Sequence, residues 1–330
     1  MSSQQHHPYV NRRYFFFGSL AIALGCSRPA NNRLSAARQT YPVSIVRASS
    51  YSVDLESLVR NVLLEHRLSV AGKNVLLKPN LVEFSAEAPV NTNPIFVAAV
   101  EAAFRSLGAA KVHIAEGPGH RRTTLDLASA AGYFGAIPSF EQNFTDLNLD
   151  EIRRVRLKNP FSTLTELYLP QTALGYDLLV SLPKMKTHHW TGATLSMKNL
   201  FGLVPGAVYG WPKNILHWAG IDECVADLHF LFPRQFCLVD GIEAMDGNGP
   251  ILGNSVWAGV IVGGAHPPSV DATCCQVMQI DPERVRYLQL VAMSSGWRRS
   301  AIRQIGEPVK NVTRRFNLLP ELEHLRLRNA

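Results

Sequence analysis

Apolar positions along the chain fall into two alternating rhythms. Val43–Ala48 is a short β-like run; behind Asp54, which can cap a helix, Leu55, Leu58, Val59, Val62 and Leu63 recur at helical spacing. Residues 74–80 read as an apolar strand ending in Lys78, Pro79 and Asn80. Pro94 opens a helix over Ile95–Leu107 that Gly108 stops, and Lys111–Glu116 is a strand leaving through Gly117, Pro118 and Gly119. A helix over Leu125–Ala131 stops at Gly132. This β-α repetition with short connections predicts an α/β fold, a largely parallel sheet flanked by helices.

Residues 135–176 break the rhythm. Val155–Leu157 and Leu164–Leu169 read as a hairpin or edge excursion, so a β-rich insertion is expected there. Asp177–Pro183 returns as a buried strand, Thr194–Leu203 reads as helical, and Asn214–Phe232 is the longest helical pattern. Phe236–Val239 and Trp257–Val262 read as strands, followed by helices from Ser269 to about Ile280 and over Pro282–Met293. On the longest helical pattern, Trp218, Ile221, Cys224, Val225 and Leu228 are expected to face the core.

The first residues have a different character. Arg12 and Arg13 precede an apolar run from Phe15 to Gly25, too short for the roughly 20 residues that span hydrocarbon. It ends at Ala23-Leu24-Gly25-Cys26, which is similar to a bacterial lipobox with its leucine one place late. Residues 1–26 are expected to be a twin-arginine leader, with lipid on Cys26 as the route to a membrane, and 27–42 a polar tether. The location expected is extracytoplasmic.

Composition narrows the class. With 330 residues, 46% hydrophobic and 18% charged, the chain can build a sizeable core and is not a disordered polymer. The net charge of +7 comes from the ends: five arginines and no acid before residue 41, and eight Lys or Arg against three Glu after residue 296. Residues 41–296 are net acidic, which argues against a nucleic-acid-binding body. Residues 43–296 are expected to form the domain, and 297–330 a basic extension. Five cysteines include no CxxC pair, so an iron–sulfur cluster or zinc ribbon is not expected. Cys224, Cys237 and Cys274 read as buried small hydrophobes.

Ligands of open parallel sheets bind beyond the carboxyl ends of the strands. Four polar clusters fall there: Lys78-Pro79-Asn80; Glu116-Gly117-Pro118-Gly119-His120; residues 183–202, with Lys184, Lys186, His188, His189, Lys198 and Asn199; and residues 240–250, with Asp240, Glu243 and Asp246. Lysine is scarce here, nine against 24 arginines, so its clustering is informative. Lys78, Lys184 and Lys198 are expected to face an anion; Lys186 is not assigned. The three carboxylates could hold a hard divalent ion or balance the lysines. Asp271 could cap its own helix or reach the same cleft. Adjacent His188 and His189 point to opposite faces of an extended backbone, so one of them belongs to the site, and His120 and His217 could contribute.

At these residues the chain resembles the DUF362 family of prokaryotic proteins. The likeness rests on Lys78-Pro79-Asn80, Glu116-Gly117, the long stretch 182–202, residues 240–250 and the Val270-Asp271 helix start. It supports one site at the four clusters and favours His188 of the histidine pair; Lys78, Asn80, Glu116, Gly117 and Asn199 are expected to contact a bound group there. Many relatives carry an added ferredoxin-like segment with CxxC repeats, which is absent here. The function expected is an exported enzyme acting on a small anionic substrate: Lys78, Lys184 and Lys198 would orient the anion or stabilise developing charge, His188 would move a proton, and Asp240, Glu243 and Asp246 would hold a metal or tune the lysines. The alternatives are a non-catalytic envelope protein that binds a ligand or metal, and an accessory protein of electron transfer or maturation.

Overall fold

Alternation along Asn74–Pro79 sets the architecture. Val75 and Leu77 enter one apolar layer and Leu76 the other, and all three are fully buried. A strand buried on both faces needs cover on both sides. The computed structural model, which describes residues 39–328, supplies it. The strands are β1 (Tyr41–Arg47), β2 (Asn74–Pro79), β3 (Lys111–Glu116), β4 (Phe144–Asp146), β5 (Ile152–Arg156), β6 (Glu166–Pro170), β7 (Leu178–Leu182), β8 (Lys184–His188), β9 (Gly192–Thr194), β10 (Gln235–Asn248), β11 (Leu252–Gly264) and β12 (Ile302–Gly306).

Ten of them form one sheet in the order β12-β1-β11-β10-β7-β2-β3-β4, with β8 paired to β10 and β9 to β8. Pairing is parallel from β10 through β7, β2 and β3 to β4, between β8 and β10, and between β1 and β12. The pairings of β11 with β1 and β10, and of β8 with β9, are antiparallel. Helices α1 (Leu55–Glu65), α2 (Pro94–Ser106) and α3 (Thr124–Ala130) cover one face. Asp54 caps α1, its carboxylate accepting the Ser57 N–H at 3.0 Å; Asn93 caps α2 in the same way, and Pro94 takes the first helical position. Helices Ile221–Leu231, Pro267–Val277 and Arg286–Ser295 cover the other face. The expected excursion is the separate antiparallel pair β5–β6.

Several elements differ from the sequence reading. The longest helical pattern is two helices, Asn214–Trp218 and Ile221–Leu231, because Gly220 takes φ 105° between them. Trp218 therefore leaves the core and is 80% exposed. Thr194–Leu203 is not one helix but the end of β9 followed by the short turns Ser196–Asn199 and Leu200–Leu203. The strands expected at 236–239 and 257–262 are parts of the longer β10 and β11, whose pairing slips at Gly241/Glu243. The last helix starts at Arg286 rather than Pro282.

Residues after 296 return to the body. β12 lies beside β1, and Val312, Phe316, Leu322 and Leu325 are buried in the larger apolar layer. Cys224, Cys237, Cys274 and Cys275 are buried free thiols. Among the described residues no helix is long and apolar enough to cross a membrane. The leader expected over 1–26, and most of the tether after it, lie outside the described residues.

Candidate functional site

A cleft of about 970 Å³ opens beyond the carboxyl ends of β2 and β3 and along β8, where a doubly covered parallel sheet places its ligands. Lys186, Lys198, Lys213, His188 and His217 line it. Trp190, Phe201, Pro212 and Leu252 give it apolar walls.

Its floor is a closed node. Lys78 is fully buried, and its Nζ donates to Glu116 Oε2, to Pro79 O at 2.8 Å and to Asn199 Oδ1 at 3.1 Å. An ammonium has three donors, so Lys78 has none left. Asn199 returns its Nδ2 to Lys78 O at 3.0 Å and to Ser181 Oγ at 3.1 Å. Glu116 also accepts from the backbone of Gly117 and Leu81. Gly202 closes the node from above: a Cβ there would occupy the places of Glu116 Oε1 and Lys78 Nζ. Lys78, Glu116 and Asn199 thus bind one another. Of the residues expected to contact a bound group, Asn80, Glu116, Gly117 and Asn199 line the cleft and Lys78 stands behind it. Asn80 Oδ1 is buried without a partner.

Lys184 is placed differently from expectation. Its Nζ donates to Asp240 Oδ2 at 2.6 Å, to Tyr51 Oη at 2.9 Å and to Glu243 O at 2.9 Å. Its three donors are used and it does not line the cleft. The cause is the pairing of β8 with β10, which aligns Lys184 with Asp240 and then slips before aligning Lys186 with Met245. Lys186, two residues on, therefore reaches the cleft instead.

Three lysines retain donors. Lys186 Nζ spends two on the carbonyls of Val90 (2.7 Å) and Pro250 (3.1 Å). Lys213 Nζ spends two on those of Gly117 (2.7 Å) and Phe201 (2.6 Å). Lys198 is half-buried; it makes no hydrogen bond among the described residues, and its Nζ sits 3.7 Å from the centre of the Phe201 ring. Burial pushes all three down: Lys186 well below the lysine range, helped by the Lys184 charge, and Lys198 and Lys213 to about 7. Lys213 also holds a left-handed backbone, φ 69°, unusual for a side-chain-bearing residue and here fixed next to the site.

The histidines are sorted by their backbone partners. His188 Nδ1 accepts the N–H groups of Trp190 (3.1 Å) and Thr191 (3.3 Å), so its proton is on Nε2. Burial, then the Lys198 charge, holds it well below the usual histidine range, a neutral ring that donates. His217 Nδ1 faces Lys213 O at 3.0 Å and must donate to it, which leaves Nε2 as a base; His189 Nδ1 does the same with Gly249 O at 2.8 Å. His188, expected to move a proton, thus presents a donor to the cleft, and His217 Nε2 presents an acceptor.

The three β10 carboxylates do not converge. Asp240 accepts from Tyr51, Lys184 and the Asn93 N–H; Glu243 accepts from Ser255; Asp246 accepts the Asn317 N–H. Along an extended strand, Asp240 and Asp246 stand on the order of 20 Å apart. Among the described residues no three His, Cys, Asp or Glu side chains come within reach of one ion. The donor set does not fit a metal, and Asp240 balances Lys184. Asp271 does not cap its own helix, a task His266 performs; its two oxygens accept the Ser196 and Met197 N–H groups at 2.8 and 3.0 Å. It thereby anchors the turn that carries Lys198. Lys213 is the main residue the sequence reading missed: it stands alone in a Trp-Pro-Lys-Asn turn, and its only signal was the scarcity of lysine.

A family described as a domain of unknown function (DUF362) matches residues 75–276, and the chain belongs to it. The chain is 27% identical over 257 residues to the thylakoid-associated protein sll1697 of Synechocystis sp., covering 74% of this chain and 76% of the relative. Among solved structures, the lactate racemase apoprotein from Thermoanaerobacterium thermosaccharolyticum aligns at TM-score 0.44 and 16% identity. That alignment covers 73% of this chain and spans 58% of the racemase chain.

Proposed function

We propose that the protein is an enzyme acting on a small anionic substrate. One observation carries the reading. Lys186, Lys198 and Lys213 line one cleft with donors to spare, while Glu116, the buried carboxylate beside them, is committed to Lys78. The other acids of the cleft wall are Glu83, paired with Arg122, and the exposed Glu321, so three amines with so few free carboxylates among them favour an anion. Lys186 and Lys213, each anchored by two carbonyls, present their third N–H to that anion. His188 donates Nε2–H to an oxygen on which charge builds, and His217 Nε2 takes or returns a proton. The apolar walls of Trp190, Phe201 and Leu252 accept an apolar substituent.

The test is calorimetric titration of the protein with oxalate, phosphate, sulfate and a panel of small 2-hydroxy and 2-oxo acids, followed by NMR of each mixture. Saturable binding that weakens in Lys213→Met, with conversion of one compound, supports the proposal. Binding without any conversion would make this a ligand-binding protein, and no binding would overturn the anion site. Export belongs to the same reading. It is tested by fractionation of cells carrying the protein with Arg12 and Arg13 both replaced by Lys, which should retain it in the cytoplasm.

A further inference from the structure

The five buried or half-buried lysines around this cleft differ in one respect. Lys78 and Lys184 use all three donors, Lys186 and Lys213 use two each, and Lys198 uses none. A lysine that only held an anion would be anchored as Lys186 and Lys213 are. Lys198 instead has its end group over an aromatic face, in the cleft, beside a neutral histidine donor.

We infer that Lys198 is an amine nucleophile that forms an imine with the carbonyl carbon of a small 2-oxo acid, whose carboxylate Lys186 and Lys213 hold. The inference rests on the anion-site reading above. The amine must be neutral to attack; burial brings Lys198 to about 7, against the pull of the Asp222 charge and with the help of Lys78, so a large fraction is neutral near that pH. Nζ forms a bond to the carbonyl carbon as the C=O π pair moves to oxygen, where the His188 Nε2–H meets it. Oxygen gains one proton as nitrogen loses one, giving a carbinolamine. The hydroxyl then takes a second proton, relayed from solvent by His217, and leaves as water while the nitrogen lone pair completes C=N. The product is a protonated imine. The Phe201 face that attracts the ammonium attracts this cation as well. A cationic imine draws electrons from the neighbouring carbon, so the chemistry expected is cleavage of a C–H or C–C bond next to the former carbonyl.

The experiment uses the full chain with pyruvate and sodium borohydride, which delivers hydride to C=N and fixes the adduct. Intact mass should rise by pyruvate plus two hydrogens less one water, and peptide mapping should place the change on Lys198. Lys198→Arg should remove it, and Lys213→Met should reduce it about tenfold. Acetone, a ketone without a carboxylate, should not be trapped. Oxalate binding is measured alongside, and its retention by Lys198→Arg shows that this variant is folded. Adducts scattered over surface lysines, or undiminished in Lys198→Arg, would overturn the inference. Oxalate binding with no trapped pyruvate would overturn the imine and leave the anion site standing. Loss of both would remove the anion site too.

Discussion

Lys184 and Asp240 meet at 2.6 Å in a pair sealed from solvent, and Tyr51 bonds to both. The Tyr51 phenol is pushed up by burial and by Asp240, so it stays a donor. Asp240 also accepts the N–H of Asn93, tying the start of α2 to β10. This pair is structural. Lys184→Met should destabilise the protein by about 3–5 kcal/mol, because Asp240 would be left buried and unbalanced. Lys184→Met with Asp240→Asn should recover part of that loss. Urea denaturation reads both, and oxalate affinity should change little in either.

Anion affinity should depend on pH with a definite sign. Lys198 and Lys213 stand near 7 in the folded protein, below the unfolded lysine value of about 10.4. An anion favours their charged forms, so affinity is greatest below about pH 7 and falls above it. The slope should approach about one decade per pH unit per lysine. Oxalate, ionised throughout this range, is the suitable probe. Without an anion the sign for stability is opposite: the unfolded chain binds more protons between about 7 and 10, so this contribution rises with pH, and Lys213→Met should flatten it.

The histidine assignments can be read without a substrate. Nitrogen-resolved NMR should show His188 as the Nε2–H form, neutral to well below pH 6.5, and His217 as the Nδ1–H form. A charged His188 at pH 6 would remove its role as a neutral donor.

Gly202→Ala should disturb the floor of the cleft directly. Its Cβ would meet Glu116 Oε1 and Lys78 Nζ, both buried and bonded within the node. A cost of about 1–3 kcal/mol is expected from the overpacking, together with weaker anion binding as the node shifts. Thermal unfolding and oxalate titration measure the two effects.

Asp271 should matter through the turn it anchors. Asp271→Ala leaves two buried N–H groups without acceptors, at a cost of about 2–4 kcal/mol. Burial raises this carboxyl to about 7, so the folded state binds more protons than the unfolded chain between about pH 4 and 7. Its contribution is therefore lost as pH rises through that window, and Asp271→Asn should remove this dependence while lowering stability.

The sheet and the position of the candidate cleft were legible because strand ends here are marked by residues that strand interiors avoid. Lys78-Pro79-Asn80 and Glu116-Gly117 stop β2 and β3, and both stand at the cleft. The pairing of charges was not legible. Lys184 and Asp240 are brought together by the parallel pairing of β8 with β10, which alternation along either strand cannot reveal, and Tyr51 arrives from another loop. Helical spacing runs through Gly220 without interruption, and only the backbone conformation there breaks the helix. Lys213 had no neighbouring chemistry in the sequence; folding places it against Gly117 and Phe201.

Leu319 and Glu321 line the cleft, and Leu325 fills the space that a side chain at position 192 would need. The cleft thus takes part of its wall from residues translated long after Lys78 and Glu116. During synthesis the sheet can gather its inner strands while that wall is still missing. The full outline of the cleft therefore exists only once this late segment has docked.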